Sequence, residues 1–183
     1  ATANGINANL TKVEGKINGL QVGGRNLLKD SGKTVSNGNY NITRYDLTDV
    51  IKQGEKVTLT IWGSLAATKS EFRAYNSGGN DHLTILTDNR DGTYSRTFQW
   101  TIGGSTNTYL NVYAFTNAQT GTSTINKIKL EKGNVGTDWS PAPEDTLMQY
   151  DFTVFKNSYN STVSGINTEL SKTAKKTDLN GMV

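Results

Sequence analysis

Between Lys56 and Leu65 apolar and polar side chains take turns, with Val57, Leu59 and Ile61 set against Thr58, Thr60 and Trp62. A period of two is the pattern of an extended strand with one apolar face. The same pattern recurs through the middle of the chain. Glu71–Tyr75 is a shorter run, and His82–Thr87 and Thr93–Ile102 flank Asp88-Asn89-Arg90-Asp91-Gly92, whose Asp-Gly is a hairpin signal. Thr108–Asn117 and Thr124–Glu131 follow. No helical pattern separates these runs, so they predict a mainly β domain, an antiparallel β-sandwich of the jelly-roll kind. Composition supports this: 26 Thr, 20 Asn, 19 Gly and 13 Ser are wrong for a helical bundle, while 16 aromatic residues are too many for a disordered chain.

Both flanks change period. Ile6, Leu10, Val13, Ile17 and Leu20 step by four and three, a heptad seam of the kind that packs along partner helices. Gly15 and Gly19 each cost a helix about 1 kcal/mol, so the seam needs company. Phe152, Phe155, Tyr159, Val163, Ile166 and Leu170 repeat the pattern with one extra step of four, a stutter that unwinds a supercoil locally. Pro141 and Pro143 end what precedes, and Glu144 and Asp145 suit a helix N-terminus, so residues 146–176 are expected to be helical. The chain therefore divides into a helical connector (1–23), a β-sandwich (24–145) and a helical stalk or connector (146–183). The two flanks also resemble each other: Gly5-Ile6-Asn7-Ala8-Asn9-Leu10-Thr11-Lys12 matches Gly165-Ile166-Asn167-Thr168-Glu169-Leu170-Ser171-Lys172 at five of eight positions. A repeated stalk unit interrupted by a globular insert would give that arrangement. Coiled-coil flanks of this kind lead us to expect a homo-oligomer such as a trimer, or docking onto another subunit.

Other classes fall away. No run approaches the roughly 18 apolar residues that span a bilayer, so membrane insertion is not expected. Net charge is +3, with basic residues scattered along the chain, which argues against a nucleic-acid partner. Cys is absent, which removes disulfides and thiolate metal sites. Catalysis lacks a constellation. His82 is the sole histidine, and Asp88 with Asp91, Asp46 with Asp49, and Glu144 with Asp145 each have a structural explanation in turns, a polar loop or a helix start. Gly78-Gly79 and Gly103-Gly104 read as plain turns. The chain is not expected to be an enzyme.

Alternation assigns faces. Trp62 should point away from Val57, Leu59 and Ile61, and Tyr109, Asn111, Tyr113 and Phe115 away from Leu110, Val112 and Ala114. Arg73 and Tyr75 should lie opposite Phe72 and Ala74, while Phe98, Trp100 and Ile102 share a core face. Aromatic rings stack on the C–H faces of sugars, and amide and guanidinium groups bond their hydroxyls. Trp62, Arg73, Tyr75, Tyr109, Asn111 and Tyr113 are accordingly the candidate carbohydrate-binding residues.

Several segments carry a resemblance. They are Gly24-Arg25-Asn26-Leu27-Leu28, Val57-Thr58-Leu59-Thr60-Ile61-Trp62, Asp91-Gly92-Thr93-Tyr94, and above all the closing Lys129-Leu130-Glu131-Lys132-Gly133-Asn134 with Thr137-Asp138-Trp139-Ser140-Pro141. Together they resemble the carbohydrate-binding-module-like jelly roll of tail and baseplate proteins from phages of lactococci, streptococci and their relatives, an accessory baseplate protein included. The resemblance implies a virion component that adheres to host cell-wall or capsular saccharide and contacts other tail or baseplate subunits through its flanks. The alternative is a purely structural component whose aromatic face packs on a neighbour. The shared motif residues are expected to be structural, with Trp139 closing the bottom of the sandwich as core. No cofactor is expected; Glu131 and Asp30 stand where related modules hold a structural calcium.

Overall fold

The computed structural model describes residues 3–76, 81–104, 108–118 and 120–180; the Gly78-Gly79 turn lies outside them. Its strands are β1 (Val35–Asn37), β2 (Asn41–Asp46), β3 (Lys56–Ser64), β4 (Glu71–Asn76), β5 (Asp81–Ile85), β6 (Thr87–Asp88), β7 (Thr93–Gln99), β8 (Tyr109–Phe115) and β9 (Ser123–Lys132). Helix α1 (Ala3–Asn18) precedes them and α2 (Pro143–Asn180) follows. The strands form a five-stranded sheet in the order β1-β9-β3-β7-β6 and a four-stranded sheet in the order β2-β8-β4-β5. Every strand pair is antiparallel.

Alternation explains the core. Val57, Leu59 and Ile61 of β3, Ile125, Ile128 and Leu130 of β9, Phe72 and Ala74 of β4, and Leu110, Val112 and Ala114 of β8 are fully buried in one cluster. Trp100 is buried with them, and Phe98 and Ile102 pack against the cluster from its margin. Burying a side chain of this size stabilises by about 1.5–3 kcal/mol, so these two facing rows dominate the sandwich. Gly63 keeps β3 close to β9 past a bulge, since a Cβ there would stand 2.1 Å from the Thr124 carbonyl.

Two features depart from the alternation reading. The run 82–87 is not one strand: β5 belongs to the four-stranded sheet and β6 to the five-stranded one. Leu86 makes the switch, buried between them with its N–H donating to the Phe72 carbonyl at 3.0 Å. Strands β1 and β2 carry little apolar alternation. In β2 only Ile42 and Tyr45 are buried, three residues apart, because a bulge lies between Asn41 and Thr43.

The motif residues knit the chain ends of the sandwich together. The Asn26 amide nitrogen donates to Ser31 Oγ and to the carbonyls of Ile128 and Ser140 at 2.8, 3.1 and 2.9 Å. Its oxygen accepts from the N–H groups of Leu28 and Leu130. The buried Glu131 carboxylate accepts from Gly24 N–H, Thr137 N–H and the Thr137 hydroxyl. Trp139 departs from its expected place in the core. Its ring is half-buried outside the cluster, with Nε1 donating to the Ile128 carbonyl and its six-membered ring lying over Gly32, where a Cβ would come within 2.7 Å.

One compact unit runs to Pro143 and a second from Glu144 onward. In α1 the seam residues Ile6, Leu10, Val13 and Ile17 are all exposed, and in α2 so are Phe152, Phe155, Tyr159, Val163, Ile166 and Leu170. Both flanks are thus helical; a coiled coil is not part of what the single chain displays. No described helix is long and apolar enough to cross a membrane.

Candidate functional site

The outer face of the four-stranded sheet is built around β8. Tyr109, Asn111, Tyr113 and Phe115 point away from the core, and the neighbouring strands bring partners into register: Glu71 opposite Phe115, Arg73 opposite Tyr113, Tyr75 opposite Asn111, and on the other side Asp46 opposite Tyr109 and Arg44 opposite Asn111. Tyr40, just before β2, and His82 of β5 complete the patch. Tyr113 lies 4.9 Å from Tyr40 and 5.2 Å from Tyr75, ring centre to ring centre. Tyr40 meets Phe115 edge to face, and Tyr75 meets His82 likewise. Tilted and edge-on arrangements are those that aromatic quadrupoles favour.

One charged device occurs twice. Glu71 and Arg73 are two residues apart on β4 and form an ion pair, and the Arg73 guanidinium lies 3.6 Å from the centre of the Phe115 ring. Across β8, Asp46 and Arg44 pair at 2.8 Å, and Arg44 lies 4.0 Å from the centre of Tyr109. In each case the acid stands opposite the aromatic residue and the arginine reaches over it diagonally. Stacking and ion pairing together fix both guanidinium planes, leaving N–H groups that can donate outward. Burial raises the Tyr40 and Tyr113 pKa values above the ordinary phenol range, with neighbouring tyrosines adding to it. Burial opposes the charge of Arg73, but hydrogen bonds to Tyr75 and Glu71 outweigh it, and its pKa rises. Each of the two arginines on this face thus has its own acid.

The candidate residues divide. Arg73, Tyr75, Tyr109, Asn111 and Tyr113 share this face. Asn111 and Tyr113, however, are only 4% and 6% exposed, because their neighbours on the same face close over them. The Tyr113 ring has no face left to stack on a ligand and serves as the floor of the patch. Tyr75, Tyr109 and Arg73 remain partly exposed. Trp62 stands apart: it lies on β3 of the five-stranded sheet, paired with Lys127 and Thr93, so the six residues do not form one surface. Alternation places a residue on a side of its own sheet, but it does not say which sheet. Sequence reasoning passed over Tyr40 and Arg44, and it read Asp46 as part of a polar loop, whereas Asp46 ends strand β2 opposite Tyr109. Arg44-Tyr45-Asp46 and Glu71-Phe72-Arg73 share a signature, opposite charges two apart around a core aromatic, that points to a paired arginine on a strand surface.

Asp30 and Glu131, the residues that stand where related modules hold a structural calcium, have protein partners. Asp30 pairs with Lys33 at 2.8 Å on the surface, and the Glu131 oxygens accept the hydrogen bonds described above. Among the described residues no group of three or more His, Asp or Glu side chains gathers as a metal site.

No family model and no curated protein matches the sequence. Solved structures do. The chain is similar to the tripod (BppUct-A-L) from the baseplate of bacteriophage Tuc2009, with a TM-score of 0.41 and 15% identity over 69% of this chain and 61% of that one. It is similar to the C-terminal CBM6 of LamC, a marine laminarinase from Zobellia galactanivorans, with a TM-score of 0.36 and 17% identity over 51% of this chain and 75% of that one. A third similarity is to the second N-terminal cellulose-binding domain of Cellulomonas fimi β-1,4-glucanase C, with a TM-score of 0.37 and 12% identity over 63% of this chain and 95% of that one. The matched region spans about three fifths of the tripod chain. A phage baseplate protein and carbohydrate-binding modules are thus both among the structural neighbours of this chain.

Proposed function

We propose that the chain is a non-catalytic saccharide-binding module of a phage tail or baseplate, and that the outer face of its four-stranded sheet holds host cell-wall or capsular polysaccharide. The observation that carries this reading is the pair of arginines stacked on Phe115 and Tyr109, each beside a partly exposed tyrosine. Tyr75 and Tyr109 offer ring surface to sugar C–H groups, and Arg73 and Arg44 donate to hydroxyls. Asn111 and Tyr113 hold these residues in place from beneath. Because each cation already has a carboxylate, the face suits neutral sugars better than phosphate-rich polymers.

A sheet face without a deep cleft desolvates little, so single-site affinity is expected to be weak. The exposed seams of α1 and α2 fit self-association, as a trimer, or docking onto another tail subunit. Either would raise avidity without new sugar contacts. The test is binding of the full chain to polysaccharide purified from lactococcal and streptococcal walls. Arg73→Ala combined with Tyr75→Ala is expected to weaken binding by about tenfold or more while leaving the fold intact by circular dichroism. Unchanged binding in that variant removes this face from the site. Failure of the wild-type chain to bind any wall preparation favours the structural alternative, in which a neighbouring subunit covers the face.

A further inference from the structure

The outer face of the five-stranded sheet is partly covered by the chain's own C-terminal segment of the sandwich. Chain from Gly133 to Asp138 crosses it: the Thr58 hydroxyl donates to the Gly133 carbonyl, and Gly136 stands directly over Thr58 and Thr60. The crossing is incomplete. Beside it an open groove of about 460 Å³ runs between this segment and the β6–β7 turn. Its floor is hydroxylated, with Thr60 of β3 next to Ser95 of β7, and Trp62 next to Thr93 at one end. Asp91 and Asp138 stand at its walls.

Most polar groups around the groove are satisfied. Thr58 is bonded to Thr97, and Asn89 donates to both Thr93 and Ser95. Three groups are not: among the described residues the Thr60 hydroxyl, the Trp62 indole N–H and the Asp138 carboxylate have no hydrogen-bond partner. They form a donor, an acceptor and a group that does both, arranged around one partly exposed indole. The Lys127 ammonium lies 5.2 Å from the centre of that indole and 5.6 Å from the centre of Trp139, which holds Trp62 in place by cation–π attraction. A ligand with an apolar C–H face and several hydroxyls uses all of these at once. Two carboxylates at the walls disfavour an anion.

The geometry points to a second saccharide site in this groove, for a neutral sugar stacked on Trp62 with its hydroxyls on Thr60 and Asp138. It shares its ligand class with the proposal for the four-stranded face but none of its residues. Two sites on opposite sheets would let one module cross-link neighbouring glycan chains.

The experiment follows the indole N–H and backbone amide signals of the full chain by two-dimensional NMR, with the Trp62 indole assigned through Trp62→Phe and the amides of Tyr75 and Tyr109 reporting on the tyrosine face. Cellohexaose, xylohexaose and mannohexaose are titrated into the wild-type chain and into the Arg73→Ala/Tyr75→Ala variant. The Trp62 signal is expected to shift saturably with at least one sugar, and equally in both proteins. Thr60→Val, which keeps the shape and removes the hydroxyl, is expected to weaken that response by about threefold to tenfold. A Trp62 response with a silent tyrosine face supports the groove and overturns the first proposal. A silent Trp62 alongside a responding tyrosine face overturns the groove alone, and silence on both faces overturns both. A Trp62 signal that moves with protein concentration in the absence of sugar makes the groove a contact between copies and likewise overturns the proposal.

Discussion

On the four-stranded sheet the outward residues Glu71, Arg73 and Tyr75 of β4 and Tyr109 and Phe115 of β8 keep contact with water above a buried floor of Asn111 and Tyr113. On the five-stranded sheet the outward residues of β3 and β9 include Thr58, Thr60, Lys129 and Glu131, all 9% exposed or less. Lys129 donates to the Thr137 hydroxyl and the Asp138 carbonyl, 3.9 Å from the carboxylate of Glu131. Both faces obey the same alternation, yet one holds its charged pairs in contact with solvent and the other holds Lys129 and Glu131 under a strap of its own chain. An outward position is therefore a geometric fact about a strand, while exposure depends on what later chain lies over it. The energetic consequence is large, because a charge sealed from water must keep its partners.

The two outward glutamates give the sharpest way to test that contrast. Glu131→Ala removes three accepted hydrogen bonds and leaves Lys129 buried without its acid, which is expected to cost about 3–5 kcal/mol. Glu71→Ala removes an ion pair whose side chains are each 26% exposed, worth about 1 kcal/mol or less. Urea unfolding followed by tryptophan fluorescence measures both. Similar losses in the two variants would mean that the strap seals nothing.

The next contrast lies within the four-stranded face. Tyr113 is its floor and Tyr75 its rim, so Tyr113→Ala is expected to cost about 2–4 kcal/mol of stability, in the range of buried aromatic truncations. Tyr75→Ala is expected to cost about 1 kcal/mol and to act on saccharide binding instead. If Tyr75→Ala proves the more destabilising, the division into floor and rim is reversed and the site has to be redrawn around Tyr109.

These cases also show how far alternation carries. The core rows of β3, β4, β8 and β9 were legible because each strand buries one side against the opposing sheet, and period two then follows directly. Strands β1 and β2 were not, since a bulge spaces Ile42 and Tyr45 by three and the remaining residues lie at an edge. The side of each candidate residue was legible, but its sheet was not, which is why Trp62 was grouped with Tyr109 and Tyr113. Nor could the strap be foreseen. The packing of Thr137 onto Glu131 joins residues only six apart, yet nothing in their types says that they meet above a sheet rather than in a turn. Trp139 illustrates the same gap: an aromatic residue in a closing motif was expected inside, and it covers a glycine at the margin instead.

The smallest expected effect concerns an inward tyrosine and separates β2 from the outward phenols across from it. Tyr45 is in the core, and among the described residues its buried hydroxyl has no hydrogen-bond partner. Burial pushes its pKa up to about 12. Tyr45→Phe removes an unsatisfied polar atom and keeps the ring, so at pH 8 it is expected to match or exceed the wild type by about 1 kcal/mol. The two proteins should then diverge in alkali. An unfolded chain ionises Tyr45 near pH 10 while the folded chain holds its proton until about pH 12. Wild-type stability therefore falls as pH rises through that interval, and the Tyr45→Phe variant lacks this part of the fall. Tyr40 and Tyr113, raised in the same direction, contribute equally to both proteins. Urea midpoints at pH 8, 10 and 11 measure the difference. A variant less stable at pH 8 would mean that the hydroxyl finds a partner after all, and β2 would then carry a polar anchor on its core side.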